Sequence, residues 1–288
     1  KVEDCWVKDC RFINHIGRAI TDLGSKNLRI EDNYFEEIGK KDGPYPAIYT
    51  KSYGNEGATW FAPSSDITVK NNVCKNLNRG FMIFNTMAGA NLIADNYVDG
   101  WKETAIITSN DINALGGSST IRGNRLMHGR ISDIAAGGLS CASTNRLTIL
   151  NNYVEDTDYG AITLTGARNA NITDNTFKDC GNEFMWPYGP FSERYGFSIG
   201  TDWQAGKTRT IDDINAIDIG IDGGIGSKNL SITNNNFIER RDIYPGSYFR
   251  QVKSGYDASN PDHSLSSRVF IEGNNVSIPS GMQFFNST

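Results

Sequence analysis

Five acidic residues in the middle of the chain have the chemistry needed to cut a glycosidic bond: Glu103, Asp133, Asp158, Glu193 and Asp202. Such cleavage usually needs two carboxyl groups about 5 to 9.5 Å apart, one to protonate the leaving oxygen and one to activate water or attack the sugar. The five residues are distant from one another along the chain. They can act in pairs only if the fold brings remote segments together. Whether it does so depends on the secondary-structure elements that position them.

A segment rich in aromatic residues surrounds two of these acids. Residues 182–203 contain seven aromatic side chains, and exposed aromatic surface is normally avoided unless something binds it. Aromatic rings stack on the C–H faces of sugars, while acids and arginines bond to the hydroxyls. We therefore predict that substrate is bound by Trp186, Tyr188, Arg194, Tyr195 and Trp203, together with Arg130. The alternative, favoured for Phe184, Phe191 and Phe197, is a small core packed under a long loop.

One repeated phrase along the chain predicts the positions of these residues. The phrase is apolar, any, apolar, two residues, Asn, any, apolar, as in Leu28-x-Ile30-x-x-Asn33-x-Phe35. Apolar residues at every second position are typical of strands, and self-similarity at a period of about two dozen residues is typical of a solenoid. Nine rungs are predicted, anchored at Cys10, Asn33, Asn72, Asn96, Asn124, Asn152, Asn175, Asn235 and Asn274.

A second strand is predicted in each rung, eight to thirteen residues after the anchor. Its inward column is predicted to be Ile20, Met82, Ile106, Ile134 and Ile162, and its outward column Ala19, Phe81, Ala105, Asp133 and Ala161. Asp133 would then be exposed between two small residues, with Glu103 one rung earlier and Asp158 one rung later. Adjacent strands lie about 4.8 Å apart, so these acids would reach the separation that glycoside cleavage requires. The alternative for Lys102, Arg130 and Asp158 is a solvated ladder of charges.

A leucine-rich repeat is the rival interpretation of the same phrase. It requires another Leu eight positions before the Asn, where this chain has small residues such as Ser25, Ser64 and Thr144. The second half of each rung is also β-branched rather than helical. The Asn column instead suits a turn, because Asn tolerates left-handed backbone geometry and its amide can bond to the same amide one rung away. We predict a structural ladder without a catalytic role.

The phrases Ile-Thr-Val-Lys-Asn-Asn-Val and Leu-Ser-Ile-Thr-Asn-Asn-Asn-Phe resemble the repeats of the right-handed parallel β-helix superfamily, which includes pectate lyases, polygalacturonases and phage tailspikes. The resemblance covers nearly the whole chain and implies an all-β fold. It provides no catalytic residues, because no lyase, polygalacturonase or mannuronan epimerase signature is found and fold alone does not give function. A tailspike setting would imply a homotrimer on a virion surface or outside the cell.

Three insertions enlarge the basic rung, within residues 39–66, 182–225 and 240–267. Aligning residues 158–161 with 194–197 places the second insertion at the corner just before the second strand, and residues 40–46 enter at that corner too. Loops beside a flat sheet make a groove, and loops often carry function. Outward Tyr34, Tyr97 and Tyr153, each following its anchor, form another stripe that could bind sugars or line a subunit contact.

The composition limits the partners. With 28 basic and 33 acidic residues the net charge is −5, which argues against a nucleic-acid or anionic-membrane partner, and no apolar run approaches the roughly 20 residues of a membrane span. The five cysteines have no metal-binding spacing, and four are predicted to be buried free thiols. No cofactor is predicted; Ca²⁺ is the alternative, at Asp212, Asp213, Asp218 and Asp222. The three histidines have no Ser or Cys partner that would indicate a triad.

The sequence therefore predicts a single β-helix domain over residues 1–288, expected to be a fragment of a longer chain. Its predicted activity is hydrolysis of an extracellular or cell-surface polysaccharide by paired carboxylates. The first alternative is a lyase acting on uronic acids, with Arg240, Arg241, Tyr244 and Lys253 as candidate residues. The second alternative is a glycan-binding adhesin or receptor-binding spike in which no acid pair reacts.

Overall fold

The computed structural model describes most of the chain as strands joined by turns. The described residues are 2–39, 46–51, 64–85, 87–102, 104–109, 117–129, 138–142, 144–157, 161–165, 167–180, 217–222, 225–240, 247–251, 267–278 and 283–287. These ranges contain no helix, and hence none long and apolar enough to cross a membrane.

Each rung contributes one strand to each of three sheets, which we call sheets 1, 2 and 3 in the order in which the chain enters them. Within the described residues, sheet 1 has eleven strands: Glu3–Lys8, Lys26–Glu31, Ser64–Ser65, Thr68–Lys70, Met87–Ala88, Ala90–Ala94, Ser118–Arg122, Leu147–Leu150, Arg168–Thr173, Lys228–Thr233 and Ser267–Glu272. Sheet 2 has nine: Arg11–Ile13, Tyr34–Glu36, Val73–Lys75, Tyr97–Trp101, Arg125–Gly129, Tyr153–Thr157, Thr176–Cys180, Asn236–Ile238 and Asn275–Ser277.

Sheet 3 contains the second strand that the sequence predicts. Its strands in the described residues are Ile20–Leu23, Ile48–Lys51, Met82–Asn85, Ile106–Ser109, Leu139–Ala142, Ile162–Thr165, Ile217–Asp222, Ser247–Gln251 and Gln283–Ser287. All stacked neighbours are parallel, and one short strand, Ile225–Gly226, pairs antiparallel with Ile217–Asp222. The predicted all-β parallel helix is confirmed. The predicted strand around each Asn is two strands separated by a two-residue turn, so a rung has three strands rather than two.

The stacked Asn side chains form a continuous hydrogen-bonded ladder. Each Nδ2 donates to the Oδ1 of the anchor in the next rung at 2.9 to 3.0 Å, from Asn33 through Asn72, Asn96, Asn124, Asn152, Asn175 and Asn235 to Asn274. The same Oδ1 accepts the backbone N–H of the anchor one rung before, and Nδ2 also donates to a sheet 1 carbonyl. The ladder is structural, as predicted.

The anchor Asn does not itself have the left-handed backbone geometry that the sequence predicts for it. The residue with left-handed backbone geometry is the one before the anchor, for example Asp32 at φ 57°, Asn151 at φ 53° and Gly123 at φ 64°. This preceding position holds Asp, Asn or Gly in every rung, the residues that adopt a positive φ at least cost. The anchor itself is needed for its buried amide. Cys10, predicted to take the anchor's place in the first rung, does so: its backbone N–H donates to Asn33 Oδ1 at 3.0 Å.

The core is a set of vertical apolar columns. One column of sheet 1 runs through Ile30, Val69, Ile93, Ile121, Ile149, Ile172 and Ile232, all without solvent exposure. Sheet 2 contributes stacked rings, with the centroids of Phe12 and Phe35 separated by 5.0 Å. Three of the four cysteines predicted to face inward, Cys74, Cys141 and Cys180, are buried, and Cys5 packs against the core. Burial raises the pKa of the Cys141 thiol to about 12, so it stays protonated.

The sheet 3 column predicted to face outward is wrong. Ile20, Met82, Ile106 and Ile162 stack in register as predicted, but the residues before three of them, Phe81, Ala105 and Ala161, have no solvent exposure, and Ala19 is only partly exposed and packs on the core. The reason is that these residues precede their strands, at the corner where the chain turns into sheet 3. Strict alternation of side chains holds only within a strand, and the corner turns two consecutive side chains toward the core.

The predicted register of Asp133 is also wrong. The strand between Ile106 and Ile162 begins at Leu139, whose backbone N–H bonds to Ala161 O, and Gly138 holds the place between Ala105 and Ala161. Leu139 therefore replaces Ile134, and Gly138 replaces Asp133. The neighbouring sheet 3 strands begin ten residues after their anchors, and the prediction for Asp133 rests on the same spacing. This connection is five residues longer, which the anchors cannot reveal.

The ladder predicts that one anchor contributes several hydrogen bonds to stability. We expect Asn152→Ala to lower the free energy of unfolding by about 3 kcal/mol, because the backbone N–H of Asn124 and the carbonyl of Ile121 lose their partner while buried. Urea denaturation measures the change. The control is Asn171→Ala on an exposed strand position, expected to change stability by less than about 0.5 kcal/mol. Equal losses in both variants would contradict the ladder's role.

Candidate functional site

The eleven predicted site residues all lie outside the described residues. They are Glu103, Asp133, Asp158, Glu193 and Asp202 among the acids, and Arg130, Trp186, Tyr188, Arg194, Tyr195 and Trp203 among the substrate-binding residues. The described strands on either side still determine which connection each one belongs to. All eleven fall in connections from sheet 2 to sheet 3, in four successive rungs. The four sheet 3 strands that follow them pair in the order Ile106–Ser109, Leu139–Ala142, Ile162–Thr165 and Ile217–Asp222.

The alignment that had placed a sheet 3 strand near Phe197 is wrong. The strand in register with Ile162–Thr165 is Ile217–Asp222, so the connection from sheet 2 runs over residues 181–216. The corner at which it enters, just before a sheet 3 strand, is the corner predicted. Residues 40–45 belong to a connection at the same corner, between Tyr34–Glu36 and Ile48–Lys51, as predicted.

The length of the connections varies only beside sheet 3. Every described turn from sheet 1 to sheet 2 has two residues, such as Asn151 and Asn152. The connections that enter and leave sheet 3 range from one or two residues to the 36 residues of 181–216. The loops that can bind a ligand are therefore supplied to the two flanks of sheet 3.

An acid–base cluster that the sequence analysis missed lies on the outward face of sheet 2. Glu155 points outward from the strand Tyr153–Thr157 and is directly beside Lys178 of the next rung in the strand register. Lys178 Nζ forms an ion pair with Glu155 Oε1, and the Tyr153 hydroxyl donates to Glu155 Oε2 at 2.7 Å. The Glu155 side chain is 19% exposed. It is thus a half-buried carboxylate with two direct donors.

These partners control the ionisation of Glu155. Burial would by itself raise the pKa of this carboxyl group, but the hydrogen bonds from Lys178 and Tyr153 and the charges of Lys178 and Arg240 together lower the pKa below its ordinary value of 4.5. Hydrogen bonding to Glu155 raises the pKa of Lys178, and burial followed by the same carboxylate raises the pKa of Tyr153. At neutral pH, Glu155 is therefore ionised and accepts hydrogen bonds, but it has no proton to give to a leaving oxygen.

Asp179 is a second carboxylate near Glu155, and Arg240 forms ion pairs with both. Arg240 donates from its backbone N–H to Asp179 Oδ1 at 3.0 Å and from Nε to Asp179 Oδ2 at 2.8 Å. Its Nη2 contacts Asp179 Oδ2 and lies 4.0 Å from Glu155 Oε1. With a normal hydrogen-bond length on one side, the two carboxylate oxygens are at most about 7 Å apart. This upper limit overlaps the range of about 5 to 9.5 Å used by paired catalytic carboxylates.

The cluster borders an open cavity of about 530 Å³ lined by His128, Glu155, Asp156, Asp179 and Arg240. His128, Asp156 and Asp179 occupy the same position in three successive rungs, one residue beyond the outward column, each with a positive φ. His128 is held by its Nδ1, which lies 2.6 Å from Asp99 Oδ1. The cavity thus combines carboxylates, a guanidinium and an imidazole.

The outward tyrosines follow a recurring local pattern. The hydroxyls of Tyr34, Tyr97 and Tyr153 each donate to the carboxylate two residues later, at 3.0, 3.2 and 2.7 Å. The pattern can be read in the sequence as Asn-Tyr-x-Glu or Asn-Tyr-x-Asp. It confirms that the tyrosines face outward. Counting two further residues along a strand would have placed Glu155 on the same face, and that signal was available.

Metal ligation has no support in the described residues. No group of three His, Cys, Asp or Glu side chains is placed there to hold an ion. Asp212 and Asp213, half of the predicted Ca²⁺ alternative, lie outside the described residues. Asp218 and Asp222 lie on the strand Ile217–Asp222, confirming that this stretch is a strand.

The chain has no match among family models or curated proteins. Solved structures are similar in fold. A variant catalytic domain of a GH87 α-1,3-glucanase in complex with tetrasaccharides matches with a TM-score of 0.55 and 17% identity, over 98% of this chain and 53% of that chain. The GH87 catalytic domain in complex with nigerose gives 0.54 and 16%, with the same coverage. A mannuronan C-5 epimerase A-module from Azotobacter vinelandii gives 0.41 and 12%, over 98% and 80%.

The similarity to the glucanase domains, together with the parallel sheets, establishes the right-handed parallel β-helix fold for this chain. The Dettilon tailspike protein also matches, at a TM-score of 0.42 and 11% identity over 99% of this chain and 61% of that chain. The epimerase and tailspike scores are too low to support an argument. This chain spans about half the length of the glucanase domains it matches.

The electrostatics of Glu155 predict a pH-dependent contribution to stability. A carboxyl group with a lowered pKa stabilises the fold above its unfolded pKa, and this contribution is lost as the pH falls through the folded pKa. We expect Glu155→Gln to lower Tm by about 2 °C at pH 7, because the ion pair with Lys178 is lost. The difference should shrink as the pH falls below 4.5.

Calorimetry of both proteins across this pH range measures the effect. The matched control is Glu36→Gln, whose carboxylate accepts the same tyrosine hydrogen bond but has no ion pair within 4 Å among the described residues. A difference for Glu155→Gln that stays constant down to pH 3 would show that the charge is not responsible.

Proposed function

We propose that this chain is a polysaccharide depolymerase that binds an extracellular or cell-surface glycan over the outward face of sheet 3 and hydrolyses it with paired carboxyl groups. The observation that carries the proposal is that all eleven candidate residues belong to sheet 2-to-sheet 3 connections of four successive rungs. Stacked connections at one corner line a single edge of sheet 3.

The shape of sheet 3 suits an extended polymer. Nine stacked strands about 4.8 Å apart make a surface about 40 Å long. The connections of variable length border this surface on both sides, as the walls of a groove would. A groove formed by loops on a rigid sheet is a common arrangement for substrate binding.

The spacing of the rungs supports paired carboxylates. The connection with Asp158 and the one with Glu193 and Asp202 belong to adjacent rungs, and the connection with Glu103 precedes that of Asp158 by two rungs. One or two rung spacings are about 5 to 10 Å, close to the range for glycoside cleavage. Asp133 stays a candidate by its connection, although the predicted reason for its exposure is removed.

The similarity in fold supports the substrate class. The glucanase domains have TM-scores above 0.5 and are in complex with tetrasaccharides or nigerose. The alternatives remain a uronate lyase and an adhesin. Of the four lyase candidates, Arg240 lies within the described residues, where its guanidinium pairs with Asp179. The predicted homotrimer remains a prediction that light scattering would test.

The test is an assay of the chain against bacterial capsular polysaccharides, glucans and pectins, with two readouts. We expect hydrolysis to release reducing ends without the ultraviolet absorbance of an unsaturated lyase product. Glu103→Gln, Asp133→Asn, Asp158→Asn, Glu193→Gln and Asp202→Asn are compared individually. Loss of a catalytic carboxyl group should reduce turnover by about 100-fold or more in two of them.

The matched control is Asp174→Asn, at the constant corner far from sheet 3. Asp174 has φ 56° and neighbouring rungs have Asn at that position, so the change should leave folding and turnover intact. An unsaturated product would establish the lyase instead. Glycan binding without turnover would establish the adhesin, and turnover unaffected in all five variants would remove the catalytic assignment.

A further inference from the structure

We infer that the sheet 2 cavity is a second saccharide-binding site, which holds a neutral sugar unit of the polymer that sheet 3 is proposed to cleave. The inference rests on the proposed function for the identity of the polymer. The residues that line the cavity are separate from the candidate catalytic residues.

The position of the cavity connects it to the proposed groove. His128 precedes Arg130 by two residues, and Asp156 precedes Asp158 by two residues. Both lie at the end of sheet 2 strands, where the chain leaves for the connections that contain the candidate catalytic residues. The cavity therefore borders the start of the connections that the proposed function assigns to the groove.

The dimensions and exposure of the cavity suit a sugar. Its volume of about 530 Å³ lies within the range of small-ligand pockets, roughly 300 to 1,000 Å³. Arg240 is 62% exposed and His128 is 48% exposed, so both can meet a ligand from solvent. No described residue bonds to His128 Nε2, while its Nδ1 is fixed by Asp99.

The lining offers donors and acceptors together. Adjacent hydroxyls of a sugar ring each donate one hydrogen bond and accept others, so they match carboxylates next to a guanidinium. Glu155 is held in place by Lys178 and Tyr153, and Asp179 by Arg240. The acceptors are thus fixed before a ligand arrives, which reduces the entropic cost of binding.

The charge balance selects a neutral ligand. Three of the five residues that line the cavity, Glu155, Asp156 and Asp179, are carboxylates. A uronate would place a further carboxylate beside these three and be repelled. A metal ion is disfavoured because two of the carboxylates already bind cationic side chains, and no described group of three ligands is suitably placed. Because the pKa of Glu155 is lowered, its carboxylate accepts hydrogen bonds and has no proton to give to a leaving oxygen. We therefore assign sugar binding, and not cleavage, to the cavity.

The test measures affinity with a charge-neutralised cavity. The variant is His128→Asn with Asp156→Asn, because Asn tolerates the positive φ of 62° and 55° at these positions. Calorimetric titration uses neutral tetrasaccharides of glucose, galactose, mannose and N-acetylglucosamine, with a tetragalacturonate for comparison. At least one neutral tetrasaccharide should bind, and bind about 10-fold more weakly to the variant.

The matched control is Glu37→Asn, which occupies the same position of its sheet 2 rung with φ 53° but does not line the cavity. It should change affinity by less than about 2-fold. Folding is intact if the melting temperature of each variant lies within 3 °C of that of the parent chain. If the melting temperature of the cavity variant falls further, the titration is repeated with Glu155→Gln in its place. Unchanged affinity in the cavity variant, preference for tetragalacturonate, or no binding of any neutral tetrasaccharide overturns the inference.

Turnover separates this inference from the proposed function. If the wild-type chain cleaves its polysaccharide and the cavity variant shows a raised KM for the polymer but an unchanged kcat, both stand. If cleavage is seen and the cavity variant has the KM of the parent chain, the second site is wrong and the depolymerase stands. If affinity depends on the cavity but the chain cleaves no polysaccharide, the second site stands as a binding site and the depolymerase is wrong.

Discussion

The stacked amides at the corner between sheets 1 and 2 set the geometry of the whole chain. Each Asn amide must meet the amide above and below it, because a buried amide without partners is costly. This requirement allows no slippage between rungs, since a shift by one residue would move the anchor out of line and turn every neighbouring side chain to the opposite face. Apolar columns such as Ile121, Ile149 and Ile172 follow from that fixed register.

A corner fixed in this way determines where the chain can vary. The turn at the anchor keeps two residues because a longer turn would separate the amides, so insertions must enter at the other corners, beside sheet 3. A single structural interaction therefore separates the molecule into a constant edge and a variable edge. Ligand-binding residues are expected at the variable edge, since changes there do not disturb the ladder.

The same division explains which parts the sequence could predict. The solenoid, the Asn ladder and the inward columns of sheets 1 and 2 were correct, because each follows from counting residues from an anchor within a strand. Asp133 was placed wrongly because Gly138 and Leu139 follow a connection whose length is independent of the anchor. Phe81 and Ala105 were placed wrongly because alternation fails at a corner. The positions of Trp186 and Asp202 depend on a 36-residue connection for which no repeat supplies a register.

The sheet 2 cavity shows how a periodic fold can form a unique site. Tyrosine–carboxylate pairs recur at Glu36, Asp99 and Glu155. The residue beyond the outward column changes from rung to rung: it is Glu37, Asn76 and Gly100 in three rungs, followed by His128, Asp156 and Asp179 in the next three. Arg240 then bridges two carboxylates across rungs. The cluster forms because the outward residues change from rung to rung while the buried ladder stays regular, so polar groups are brought together without a change in the core.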